Sequence, residues 1–143
     1  MPPVHVEVEQ TLSHPVETVF AFMSDPANRP RWQEQTQRVE VLTEGPAGVG
    51  TRWRETTTGV GTYEAEVVAF ERDRLWVEEA DTGQGRGRIS VAFAPDGPAA
   101  THLSVTVEIH LRGMRRMMGA AIAPLIGRQL PRDLERLDAL LAS

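Results

Sequence analysis

The chain has no cysteine and no lysine. Without cysteine there is no disulfide framework and no thiolate nucleophile. Without lysine there is no amine for Schiff-base chemistry, because all fifteen basic residues are Arg. This bias, together with abundant Ala, Gly, Pro and Val, matches the usage of a GC-rich bacterial genome. Tyrosine occurs once, as Tyr63. No long hydrophobic run is present: the longest mostly apolar stretch, Met117 to Ile126, is about half of what a membrane span needs. The first residues, Met1 to Glu7, have no basic segment followed by an apolar one, so no signal peptide is read there. The expectation is a soluble, cytoplasmic protein. A net charge of −5 argues against a nucleic-acid partner. The six Arg between Arg112 and Arg136 make a local basic region, read as a solvated helix face.

What is present fits one globular domain over residues 1–143, with 41% hydrophobic and 24% charged residues. Val4, Val6 and Val8 alternate with His5, Glu7 and Glu9, the period of a half-buried strand. Pro15 suits the first position of a helix, and Val16, Val19, Phe20 and Met23 follow at helical spacing. Asp25-Pro26 stops that helix, and a second short one fits Asn28 to Gln33. Turn signals then divide the chain into strands at 37–43, 50–58, 61–71, 74–81, 87–94 and 100–112, a meander of antiparallel neighbours. Tyr63, Ala65 and Val67 share one parity, while Val68 and Phe70 take the other, which predicts a β-bulge near Val67–Ala69. From Met114 to Ser143 an apolar stripe predicts one long helix. Pro124 and Pro131 fall inside it and predict a bend or break at each, with the regular part starting as late as Pro131.

The order is strand, two short helices, six strands and a long helix. Such a sheet must cover one apolar face, and only the last helix is long enough to do so. The run Pro15-Val16-Glu17, Val19-Phe20, Asp25-Pro26, Pro30 and Trp32 resembles the opening motif of the START-like, or SRPBCC, superfamily. Gly48-Val49-Gly50-Thr51 with Trp53, and Leu134 to Leu140, resemble later motifs of the same superfamily. The likeness is to the bacterial polyketide cyclase/dehydrase branch, relatives of the birch pollen allergen. It implies an α+β helix-grip fold: a seven-stranded curved antiparallel sheet wrapped around a long C-terminal helix, with an apolar cavity between them. Members bind hydrophobic small molecules or lipids, and some cyclise aromatic polyketides with Arg, Tyr or Ser residues in the cavity.

Inward parity then assigns the cavity wall. The early chain supplies Val6, Val8 and Phe20, and the next strands supply Trp53, Tyr63 and Val67. The last two strands supply Val91, Phe93, Val105, Val107 and Ile109, and the helix supplies Met117, Met118 and Ile122. Each could equally pack a core. The two short helices and the Met-rich start of the last helix are expected to frame the cavity mouth. Trp32 reads as a packing residue, and Trp76 has no clear parity.

Glu55 shares the parity of Trp53 and so points inward, where a carboxylate needs partners. Tyr63 can reach it across the Gly59–Gly61 turn. A Glu55–Tyr63 pair could hold a polar ligand head or act as acid and base. Alternatively, Glu55 reaches water from a strand end. His102, Glu108 and His110 lie on the wet face of their strand, and Gly83, Gly85 and Gly87 lie between strands, so neither group suggests a metal or phosphate site. No metal or cofactor is expected.

Three functions remain. One is a carrier of a lipid-like or polycyclic ligand, as a monomer or weak homodimer. The second is a polyketide cyclase, although most Arg residues, Arg88 included, fall on outer faces. The third is an interaction module docking through the basic helix.

Overall fold

The structure, a computed structural model, describes residues 3–143. Strand β1 (Val4–Leu12) leads into helix α1 (Val16–Met23), a 3-10 turn (Pro26–Asn28) and the single-turn helix α2 (Arg29–Trp32). Strands β2 (Thr36–Val41), β3 (Arg52–Thr57), β4 (Gly61–Glu71), β5 (Leu75–Asp81), β6 (Gly85–Pro95) and β7 (Thr101–Leu111) follow, and helix α3 (Gly119–Leu141) ends the chain. The sheet order is β1-β7-β6-β5-β4-β3-β2, and every neighbouring pair is antiparallel. This is the expected helix-grip arrangement, with the strands within two or three residues of the spans read from sequence.

Local chemistry explains the start of the chain. Val16, Val19, Phe20 and Met23 bury one face of α1. The Asp25 side chain then accepts from the Ala27 amide at 3.1 Å, and Pro26 takes the first position of the 3-10 turn. Phe20 packs edge-on between Phe70 and Phe93, with ring centroids 5.4 and 5.0 Å away. The expected bulge is present as a register shift between Val67 and Ala69 in β4, which lets the sheet curl. At Gly85 a Cβ would stand 2.3 Å from the backbone oxygen of His110, so β6 can pair with the end of β7 only through a glycine.

The end of the chain differs from expectation. Residues Gly113–Met118 form a 3-10 turn, and α3 then runs unbroken through Pro124 and Pro131. Each proline frees one carbonyl, on Ala120 and Gly127. Ala120 is exposed, so water satisfies its oxygen at little cost. Tertiary packing holds the rest. The C-terminal half of α3 buries Asp133, Leu134 and Leu137. It is also tied down by polar contacts: Ser13 and Glu34 donate their amides to Asp138 and Asp133 at 2.8 and 3.2 Å. The N-terminal half runs over β1, where a Cβ on Gly119 would lie 3.3 Å from Val4 Cγ2. Among the described residues, no helix is long and apolar enough to cross a membrane.

Candidate functional site

Two Trp-x-Glu triplets organise the interior. In β3, Trp53 and Glu55 both point inward, and in β5, Trp76 and Glu78 do the same. A strand places residues i and i+2 on one face, so each indole sits beside its own carboxylate. Trp53 Nε1 donates to Glu55 Oε1 at 3.0 Å, and Trp76 Nε1 donates to Glu78 Oε1 at 2.8 Å. The two strands flank β4, and the rings lie 6.0 Å apart.

Arg29, delivered by α2, joins the triplets. Its guanidinium donates from both Nη atoms to the two oxygens of Glu78, the Nη1 bond measuring 2.9 Å. Nη1 also lies 3.6 Å from Glu55 Oε1, and Cζ lies 4.8 Å from the centre of the Trp53 ring. Arg29, Glu55 and Glu78 are all buried. A buried cation forked onto a carboxylate and stacked on an indole satisfies charge and geometry together.

Glu55 is fully engaged. Its Oε2 accepts from Thr57 and Tyr63, each at 3.0 Å, and lies 3.3 Å from the Thr36 hydroxyl oxygen. Burial pushes its pKa up, but Arg29, Trp53, Thr57 and Tyr63 outweigh this and hold it below the ordinary carboxylate value. Burial and then the Glu55 charge push the Tyr63 phenol well above its ordinary value, so Tyr63 stays a protonated donor. Burial also lowers the Arg29 pKa, but Glu78 and Glu55 more than reverse it.

A pH prediction follows from Glu55. A depressed carboxylate stabilises the fold fully above its unfolded value, near 4.5, and loses that contribution as pH falls through the folded one. Asp133, raised by burial, has the opposite sign and gains as pH falls. The wild-type urea midpoint is therefore expected to fall more steeply below about pH 4.5 than that of Glu55→Gln. Parallel acid limbs in the two proteins contradict this.

Beside this network lies the cavity. A lobe of about 480 Å³ is bounded by Tyr63, Glu78, Ile89, Val107 and Ile109 of the sheet, with Met118, Ile122, Leu125 and Ile126 opposite. A wider lobe of about 770 Å³ shares Ile89, Val107, Ile109, Leu125 and Ile126 and extends to Arg128 and Asp133. A small lobe of about 50 Å³ shares Glu78, Ile89 and Val107 with the first and is closed by Met23, Arg29 and Trp32.

The residues assigned to the cavity wall separate into groups. Tyr63, Val107, Ile109, Met118 and Ile122 line the 480 Å³ lobe, while Val91, Phe93 and Val105 line the small one. Phe20, Trp53 and Val67 are core residues, and Glu55 lies behind Tyr63. Met117 is 71% exposed in the 3-10 turn, outside these linings, because the helix starts later than its apolar stripe suggests. The short helices and the Met-rich turn border different lobes rather than one mouth: α2 closes the small lobe, whereas Met118 borders the larger one. On the outer face of β7, His102 contacts Glu9 at 3.1 Å and Glu108 contacts His5 at 3.2 Å.

Arg29, Glu78 and Trp76 escaped the sequence reading. Two signals were available. Arg29 stands three residues before the inward Trp32, on the same face of one helical turn. Trp76-Val77-Glu78 repeats the pattern of Trp53-Arg54-Glu55.

Known proteins share this architecture. The Zhui aromatase/cyclase from Streptomyces sp. R1128 superposes with a TM-score of 0.80 at 15% identity, covering 96% of this chain and 93% of that one. A START superfamily protein from Mycobacterium smegmatis also gives 0.80 at 15% identity, covering 96% and 97%. Norcoclaurine synthase from Thalictrum flavum, in complex with dopamine and hydroxybenzaldehyde, gives 0.70 at 14% identity, covering 98% and 87%. At such identities the likeness is one of fold. No curated protein matches the sequence. The sequence model described as "Polyketide cyclase / dehydrase and lipid transport" matches residues 3–142, and the chain therefore belongs to that family.

Proposed function

We propose that this protein binds a hydrophobic small molecule in the space between α3 and the sheet. The observation that carries the reading is the apolar lobe of about 480 Å³, a volume typical of small-molecule sites. One wall is the sheet and the other is the half of α3 that buries no residue. Tyr63 and Glu78 give that lobe a polar corner.

The same corner favours binding over proton transfer. Glu55 already accepts from Trp53, Thr57 and Tyr63, and Tyr63 keeps its proton near neutrality. Neither group is poised as a general base, which places the cyclase reading second. Catalysis of a reaction through Tyr63 would require it to act as a donor only.

Ile89 borders all three lobes and is half-buried. Ile89→Trp grows into the cavity, not into packed core, so the fold should survive. Wild-type protein is expected to bind a neutral apolar fluorophore such as Nile red, and the variant to bind it about tenfold or more weakly with an unchanged melting midpoint. Absence of saturable binding to wild type, or equal binding to both, rejects the proposal.

A further inference from the structure

We propose that Arg29 and Trp32 form a donor subsite in the small lobe, which takes an uncharged oxygen, carbonyl or hydroxyl, of an otherwise apolar ligand. This rests on the ligand-binding reading above and specifies the ligand. Among the described residues, two buried side-chain polar atoms have no hydrogen-bond partner: Arg29 Nε and Trp32 Nε1. Their residues are 5% and 3% exposed. A buried donor left unmatched costs about 1–3 kcal/mol, so two of them in one place call for an acceptor.

The residues of the two donors border one lobe, the small one. Arg29 and Trp32 stand at i and i+3 on α2. Neither donor meets a protein acceptor. The oxygens of Glu78 are taken by Arg29 Nη1, Arg29 Nη2 and Trp76 Nε1. Gln33 Oε1 accepts from the Thr36 hydroxyl at 2.8 Å. The remaining walls are apolar, among them Met23, Ile89, Val91 and Leu134.

Size and charge narrow the ligand. A lobe of about 50 Å³ admits an oxygen and the carbon that carries it, but no ring. A ring or chain attached to that carbon would lie in the adjoining lobe, across the shared residues Glu78, Ile89 and Val107. The guanidinium already stands between two carboxylates, Glu78 and Glu55. A ligand carboxylate would add a third negative charge around one buried cation. An ammonium or amide N–H cannot pair with Arg29 Nε or Trp32 Nε1, since an indole N–H and a guanidinium N–H cannot accept.

Three naphthalenes of one shape test this by equilibrium dialysis: 2-acetylnaphthalene, 2-ethylnaphthalene and 2-naphthoate. The acetyl compound is expected to bind about tenfold tighter than the ethyl compound, and the naphthoate more weakly than the acetyl compound. Trp32→Phe keeps an aromatic ring but loses the N–H. It is expected to remove most of the acetyl compound's advantage over the ethyl compound. In wild-type protein, the Trp32 indole N–H resonance should shift with acetylnaphthalene and not with ethylnaphthalene, a readout that needs no stable variant. Equal affinity for the acetyl and ethyl compounds, or a still Trp32 resonance, overturns the subsite and leaves the ligand-binding reading intact. So does a preference for the naphthoate, which contradicts the charge argument. Failure of all three to bind removes both.

Discussion

Arg29→Met is expected to destabilise the protein by about 3–5 kcal/mol at neutral pH, the usual cost of leaving a buried charge without its partner. Glu78 loses both guanidinium bonds at once, and Glu55 loses the nearby cation. Trp53 loses the cation over its ring. For a chain of this length the melting midpoint should drop by roughly 10 °C or more. The pH dependence identifies the cause. Without Arg29, desolvation raises the folded-state pKa of Glu55, which that cation holds down. A raised pKa means that stability is regained as pH falls, so the variant should lose less relative to wild type near pH 5 than near pH 7.5. Adding Glu55→Gln and Glu78→Gln to Arg29→Met should recover part of the loss, because amides tolerate burial better than unpaired carboxylates. Urea denaturation at the two pH values measures all of this. A loss below about 1 kcal/mol, or one independent of pH, would show that the two carboxylates do not depend on Arg29.

How far the sequence revealed this network depends on which physics joins its parts. The Glu55–Tyr63 contact was legible because two local rules suffice: parity along β3 puts Glu55 beside Trp53, and a short turn brings β4 back alongside. The bulge at Val67–Ala69 was legible for the same reason, since a parity switch within one strand has few other remedies. Arg29 was not, because its partners lie 26 and 49 residues away on strands that its own one-turn helix does not adjoin in sequence. Nothing in the local pattern of α2 distinguishes Arg29 from the exposed Arg31 except its phase relative to Trp32. The prolines failed in the opposite direction. A local rule broke α3 at Pro124 and Pro131, but packing of its second half against the sheet and solvation of the freed Ala120 carbonyl override that rule. Tertiary context decides wherever a local penalty of a few kcal/mol meets a fully buried side chain.

The same division of α3 gives the second large effect. Leu134 is fully buried, and around it Asp133 holds the Glu34 amide while Arg136 Nη1 donates to the Trp32 carbonyl at 3.4 Å. This half of the helix is the anchor. Leu125, nine residues earlier, is 58% exposed and borders both larger lobes. Leu134→Ala is expected to cost about 2–5 kcal/mol, from lost burial and the cavity left behind. Leu125→Ala is expected to change stability by less than about 0.5 kcal/mol, because it removes little buried surface. Ligand binding should reverse the order of damage for molecules that remain folded. Leu125→Ala should weaken Nile red binding several-fold, since a bound ligand would bury what solvent now touches. Leu134→Ala should leave the affinity of the folded fraction within about twofold, because Leu134 borders only the small lobe. Urea unfolding and fluorophore titration under conditions where both variants are folded separate the two quantities. If Leu125→Ala proves as destabilising as Leu134→Ala, the N-terminal half of α3 is packed core and the cavity wall lies elsewhere. If instead the two effects part as expected, one helix carries stability at its end and ligand contact at its start.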